Sequence, residues 1–103
     1  MRGLSEDTHA LIERMFPPEL RAQVVDLLTR ECGNNLPFAE SLEEYGLERV
    51  RFAALKMSGG DLDKLRAAVE HAKIDSRDVL MGAGFGDSLT AHKEWARLTL
   101  GAS

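Results

Sequence analysis

Apolar residues recur at helical spacing along nearly the whole chain. Leu4, Thr8, Leu11, Ile12 and Met15 follow the i, i+3, i+4 pattern of one helix face. Ser5 is placed to cap this helix, and Glu6 and Asp7 put negative charge at its positive end. Pro17 and Pro18 end it, because proline lacks a backbone donor and restricts the residue before it. Pro18 also suits the first position of a second helix, whose buried stripe is Leu20, Val24, Leu27 and Leu28. Gly33 is placed to close that helix in a left-handed conformation.

A third helical region lies between Ser41 and Ser58. Ser41 with Glu44 three residues later has the form of a capping box. Gly46 costs about 1 kcal/mol relative to alanine inside a helix, which favours a short turn at 42–45 and a restart at Leu47. Leu47, Val50, Ala54 and Met57 then form one stripe with Phe52 and Leu55 beside it, a breadth that predicts burial on much of the circumference.

Gly59-Gly60 ends this helix and Asp61 can cap the fourth, whose stripe is Leu62, Leu65, Val69 and Ala72. Asp75 or Ser76 can open a short fifth helix through Val79 and Leu80, broken by Gly82, Gly84 and Gly86. Asp87 or Ser88 is placed to cap a last helix carrying Leu89, His92, Trp95, Ala96 and Leu98. Together with Ala91 these residues form an apolar sector expected to dock on the fourth helix. No segment alternates with period two for long enough to predict a strand. The pattern therefore predicts an all-α fold: a compact, irregular bundle of five or six short helices around one core, in a single domain spanning 1–103.

Composition agrees with this. Of the 103 residues 44% are apolar and 29% charged, which suits a globular chain of a size that supports one core. Thirteen basic and seventeen acidic side chains give a net charge of −4, so there is no bulk attraction to nucleic acid or anionic membrane. The N-terminal stretch is charged where a secretory leader needs an apolar run, and no window has the length of a membrane span. The expected location is the cytoplasm, with no membrane association. The single cysteine, Cys32, excludes an internal disulfide and a cysteine-rich zinc site.

The oddest stretch is Glu31-Cys32-Gly33-Asn34-Asn35-Leu36-Pro37-Phe38. A functional reading makes Cys32 a nucleophile and has Asn34 and Asn35 present their amides to a ligand. The physics disfavours the nucleophile, since thiolates are stabilised at helix N-termini and Cys32 stands at a C-terminus. A packing role accounts for every residue: a small buried thiol, left-handed glycine and asparagines, and Leu36 and Phe38 plugging the core. Asn34 and Asn35 remain candidates for a partner contact, because connecting loops often carry function.

Gly82-Ala83-Gly84-Phe85-Gly86-Asp87 resembles a phosphate loop only in its glycines. It lacks the preceding strand and the later glycine-lysine pair, so a turn pinned by Phe85 is expected. His9, His71 and His92 show no metal-ligand spacing, and no cofactor is implied. His92 and Trp95 are the other candidate binding residues, because tryptophan is enriched at interface hot spots; Trp95 is also a good anchor for a small core, and the core role is the favoured one. Glu40, Glu43, Glu44 and Glu48 form an acidic run that helix-dipole effects explain.

Val69, Ile74 and Val79 have the apolar spacing of a helix-turn-helix over 61–73 and 76–82. Residues 61–103 carry six basic groups against seven acidic ones, without the lysine and arginine clusters that phosphate neutralisation needs. The reading that follows is a non-catalytic interaction or regulatory module whose partner is another protein or a second copy of the chain. Nucleic-acid binding through the fourth and fifth helices is the alternative, and an enzyme using Cys32 or a histidine ranks third.

Overall fold

The N–H of Thr8 donates to Ser5 Oγ at 3.1 Å, and the chain enters its first helix, α1 (Glu6–Met15), at the residue marked for it. The protein is described by a computed structural model over residues 4–32, 44–86 and 90–101. Phe16 and Pro17 are extended, and α2 (Pro18–Glu31) starts with Pro18 in its first turn. Next come α3 (Glu44–Ser58), α4 (Leu62–Ile74), α5 (Ser76–Gly82) and α6 (Ala91–Thr99). Asp61 Oδ1 accepts from the N–H groups of Asp63 and Lys64 at 2.8 and 3.2 Å and caps α4. Asp75 closes α4 and caps α5, its Oδ1 accepting from the N–H of Arg77 at 3.0 Å.

These six helices form an all-α bundle with an irregular arrangement, and no described residue lies in a strand. The radius of gyration is 12.2 Å, close to the ~13 Å of a compact chain of this length. The middle helix is α3, which packs against α1, α4, α5 and α6, while α2 covers α1 and α4. Leu47, Val50, Arg51, Phe52, Ala53, Ala54, Leu55 and Ser58 are all buried, so α3 is enclosed on most of its circumference as its sequence predicts. No helix among the described residues is long and apolar enough to cross a membrane.

Several expectations are corrected. The third helix runs through Gly46 without a restart at Leu47. The buried side chains of Leu47 and Val50 immediately beyond outweigh the ~1 kcal/mol propensity cost. The last helix begins at Ala91, with Thr90 at its N-cap position, and it packs on α1 and α3 rather than on α4. Met57 is 40% exposed and Leu98 70% exposed, although both fall in apolar sectors, because each sits near the C-terminal end of a helix. Ile74 is 81% exposed where α4 meets α5, while Val69 and Val79 are buried, so the corner keeps two of the three apolar contacts expected of it. The proposed closing role of Gly33, the capping box at Ser41 and the caps at Asp87 or Ser88 lie outside the described residues, as does Leu89.

Gly60 explains how α1 meets the end of α3. Its φ is +89°, and a Cβ there would stand 2.8 Å from the carbonyl oxygen of Met15. A side chain would collide with backbone, so the turn between α3 and α4 requires glycine at this position.

Candidate interaction surface around the glycine-rich turn

Phe85 is 1% exposed and pins the turn that follows α5, as its sequence suggests. The N–H groups of Ala83, Gly84 and Phe85 donate to the carbonyls of Val79, Met81 and Leu80 at 3.0, 3.0 and 2.8 Å. Those amides are what a phosphate loop offers an anion, and here they are spent on closing the helix. The turn's carbonyls are also engaged. Arg49 Nη2 donates to Phe85 O at 2.7 Å, and Lys56 Nζ donates to Ala83 O at 2.8 Å while standing 5.2 Å from the Phe85 ring centroid. Arg49 and Lys56 lie seven residues apart, two turns along one face of α3. That spacing was the available sequence signal for this clamp, and it is unremarkable without knowledge of what α3 faces.

Phe85 also gathers the sequence-predicted aromatic candidates. Its ring centroid lies 6.2 Å from that of His92 and 6.0 Å from that of Trp95. Phe52 joins the cluster from α3, at 5.4 Å from His92 and 6.1 Å from Trp95. His92 is fully buried, with Nε2 4.0 Å from Glu48 Oε2, and burial pushes its pKa below the ordinary value although Glu48 opposes this. Glu48 Oε1 in turn accepts from Ser5 Oγ at 2.8 Å, which links α1, α3 and α6. Trp95 is half-buried and packs on the core edge. His92 thus has no surface to offer a partner, and Trp95 offers part of one. Asn34 and Asn35 lie outside the described residues.

Cys32 sits elsewhere, at the C-terminal end of α2, and is fully buried. Burial raises its thiol pKa to about 12, against the opposing pull of Arg51 and Lys73. Its carbonyl accepts from Nε of the buried Arg51 at 2.9 Å, which satisfies one of the open carbonyls at the helix end. Nothing in the sequence pattern marks Arg51 for the interior, since a lone arginine in a helix usually faces water.

His9 is exposed on α1, beside a groove of ≈ 540 Å³ between α1 and α2. His71 is exposed on α4, with Nε2 3.5 Å from Asp78 Oδ2 of α5. The three histidines stay on separate parts of the fold, and no group of metal-ligating side chains occurs among the described residues.

Two methionines reach the surface beside the clamped turn. Met81 of α5 is 69% exposed and Met57 of α3 is 40% exposed. Met57 Cε comes within 3.4 Å, and Met81 Cγ within 2.9 Å, of where a Cβ would project from Gly82 and Gly86 respectively. The two methionines therefore lie against glycines at the end of α5, over a turn held rigid from below. No protein-family model, curated protein or solved structure matches this chain.

Proposed function

We propose that this protein is a non-catalytic interaction module that binds another protein through the surface around α5. The observation that carries the reading is the exposure of Met81 (69%) and Met57 (40%) beside a turn fixed by Arg49, Lys56 and Phe85. Methionine adapts to varied partner shapes, and apolar side chains left in water on a rigid support are a common form of binding surface. Two of the side chains considered for chemistry are placed in the core: the Cys32 thiol is buried in its neutral form, and His92 packs among aromatic rings.

The test is affinity capture from the native host with the wild type and with Met81→Glu, at matched folding by circular dichroism. A specific partner, retained by the wild type and lost by the variant, is the expected result. Equal capture by both chains would remove α5 from the interface. Retention of the wild type on duplex DNA, reversed by salt, would favour the nucleic-acid alternative.

A further inference from the structure

Two residues of α6 are buried, His92 and Ala96, and only His92 is large. Ala91, Trp95 and Leu100 pack at the core edge, while Lys93, Glu94, Arg97 and Leu98 face water. The helix is therefore anchored on α1 and α3 by an imidazole, where an aliphatic side chain is the usual choice. The ring stands 5.4 Å between centroids from Phe52 of α3 and 6.2 Å from Phe85 of the glycine-rich turn. A neutral imidazole packs there as an aromatic disc. An imidazolium brings a charge to a position that water does not reach.

The charged groups facing the ring divide. From α3, Glu48 Oε2 lies 4.0 Å from Nε2 and favours the charged form, whereas Arg49 opposes it. Lys93 of α6 itself also opposes it. From α1 comes Ser5, whose hydroxyl donates to Glu48 Oε1 at 2.8 Å, while the titratable side chains of that helix are exposed. Phe85 brings a ring and no charge from the turn. Burial outweighs the Glu48 carboxylate, so His92 takes up a proton less readily with α6 docked than in water. By linkage, the stability that neutral His92 lends to docking is complete above about pH 6.5 and is lost as the pH falls.

We propose that His92 is an acid-sensitive latch: when its ring gains a proton, α6 lifts from α1 and α3 and uncovers Phe52 and Phe85, while α1 to α5 keep their packing. The middle helix retains α1, α4 and α5 as neighbours after α6 has left. The step moves one proton from solvent to the imidazole and breaks no covalent bond. The uncovered phenylalanine rings form an apolar surface present only in acid, independent of any partner bound at α5.

The test follows amide exchange of the full chain at about pH 7.5 and about pH 5, corrected for intrinsic exchange, together with Trp95 emission. Protection in α6 should fall about tenfold in acid and drop below that of α4, and the emission should shift to the red. Glu48→Gln removes the group that favours the imidazolium and should enlarge the fall, whereas His92→Phe should abolish it. In the wild type, the His92 ring resonances should titrate with the same midpoint as the Trp95 shift, a readout that needs no variant. Equal protection in α4 and α6 at the lower pH would overturn the latch in favour of global unfolding. Greater protection of α6 in acid would overturn it by showing that Glu48 captures the imidazolium in place. An undiminished fall in His92→Phe would overturn it by assigning the effect to another group.

Discussion

Arg49 Nη2 reaches the carbonyl of Phe85 at 2.7 Å, tying the middle of α3 to the glycine-rich turn 36 residues later in the chain. A charged donor satisfies a partly buried carbonyl, and Phe85 can hold its ring in the core without a strand or a longer helix to support it. Arg49→Met keeps the aliphatic stem and removes the donor. It should cost about 1.5–3 kcal/mol, the range for a hydrogen bond to a charged group. The decrease would be read from the urea midpoint, and faster amide exchange at Ala83–Phe85 would locate it. An unchanged midpoint with unchanged exchange would show that Phe85 alone fixes the turn.

His92 gives the fold a pH dependence with a definite sign. Burial lowers its pKa in the folded state below the ordinary 6.5, so the unfolded chain takes up the proton more readily. The contribution of neutral His92 is complete above about pH 6.5 and is lost as pH falls through that value toward the folded pKa. Urea midpoints should therefore fall between about pH 7.5 and about pH 5, with a shallower fall in His92→Gln. A fall of the same size in the variant would assign the effect to other groups.

Cys32 should react with a thiol reagent only when the chain opens. Its pKa of about 12 leaves almost no thiolate at neutral pH, and the side chain is fully buried. Modification should be slow in buffer and fast in denaturant, and its native rate should rise with subdenaturing urea. Native labelling as fast as in the unfolded chain would contradict the burial and restore the reactive reading of this stretch.

Trp95 is half-buried against Phe52 and Phe85, so its truncation should cost less than the ~3–5 kcal/mol of a fully enclosed aromatic. About 2 kcal/mol is expected for Trp95→Ala, with a moderately blue-shifted emission in the wild type. A midpoint change within error would detach Trp95 from the core, and a loss near 5 kcal/mol would mean that the ring is enclosed.

The local signals were legible in the sequence, and the long-range ones were not. Ser5, Asp61 and Asp75 cap the helices they precede, and Pro17-Pro18 separates α1 from α2, because each acts within one turn of itself. Phe85 as the pin of the turn was also legible, since it is the sole large side chain among three glycines. Gly46 misled because helix propensity is weaker than the burial that follows it. The apolar sector of α6 predicted docking, yet periodicity carries no address, and the helix settled on α1 and α3. At the candidate surface the glycines drew attention, while Arg49, Lys56, Met57 and Met81 did not. Helical period assigns Met57 to the core stripe, and its place near the C-terminal end of α3 leaves it partly at the surface.

The claim that α5 and its flanking methionines form the binding surface is tested most directly by a photocrosslinking residue. Benzoylphenylalanine would be placed at position 81 and, as a control on the exposed side of α2, at position 22. After irradiation in the native host, position 81 should yield a discrete crosslinked partner, suppressed by Met57→Asp, and position 22 should yield none. Crosslinking from position 22 with silence at position 81 would contradict the account.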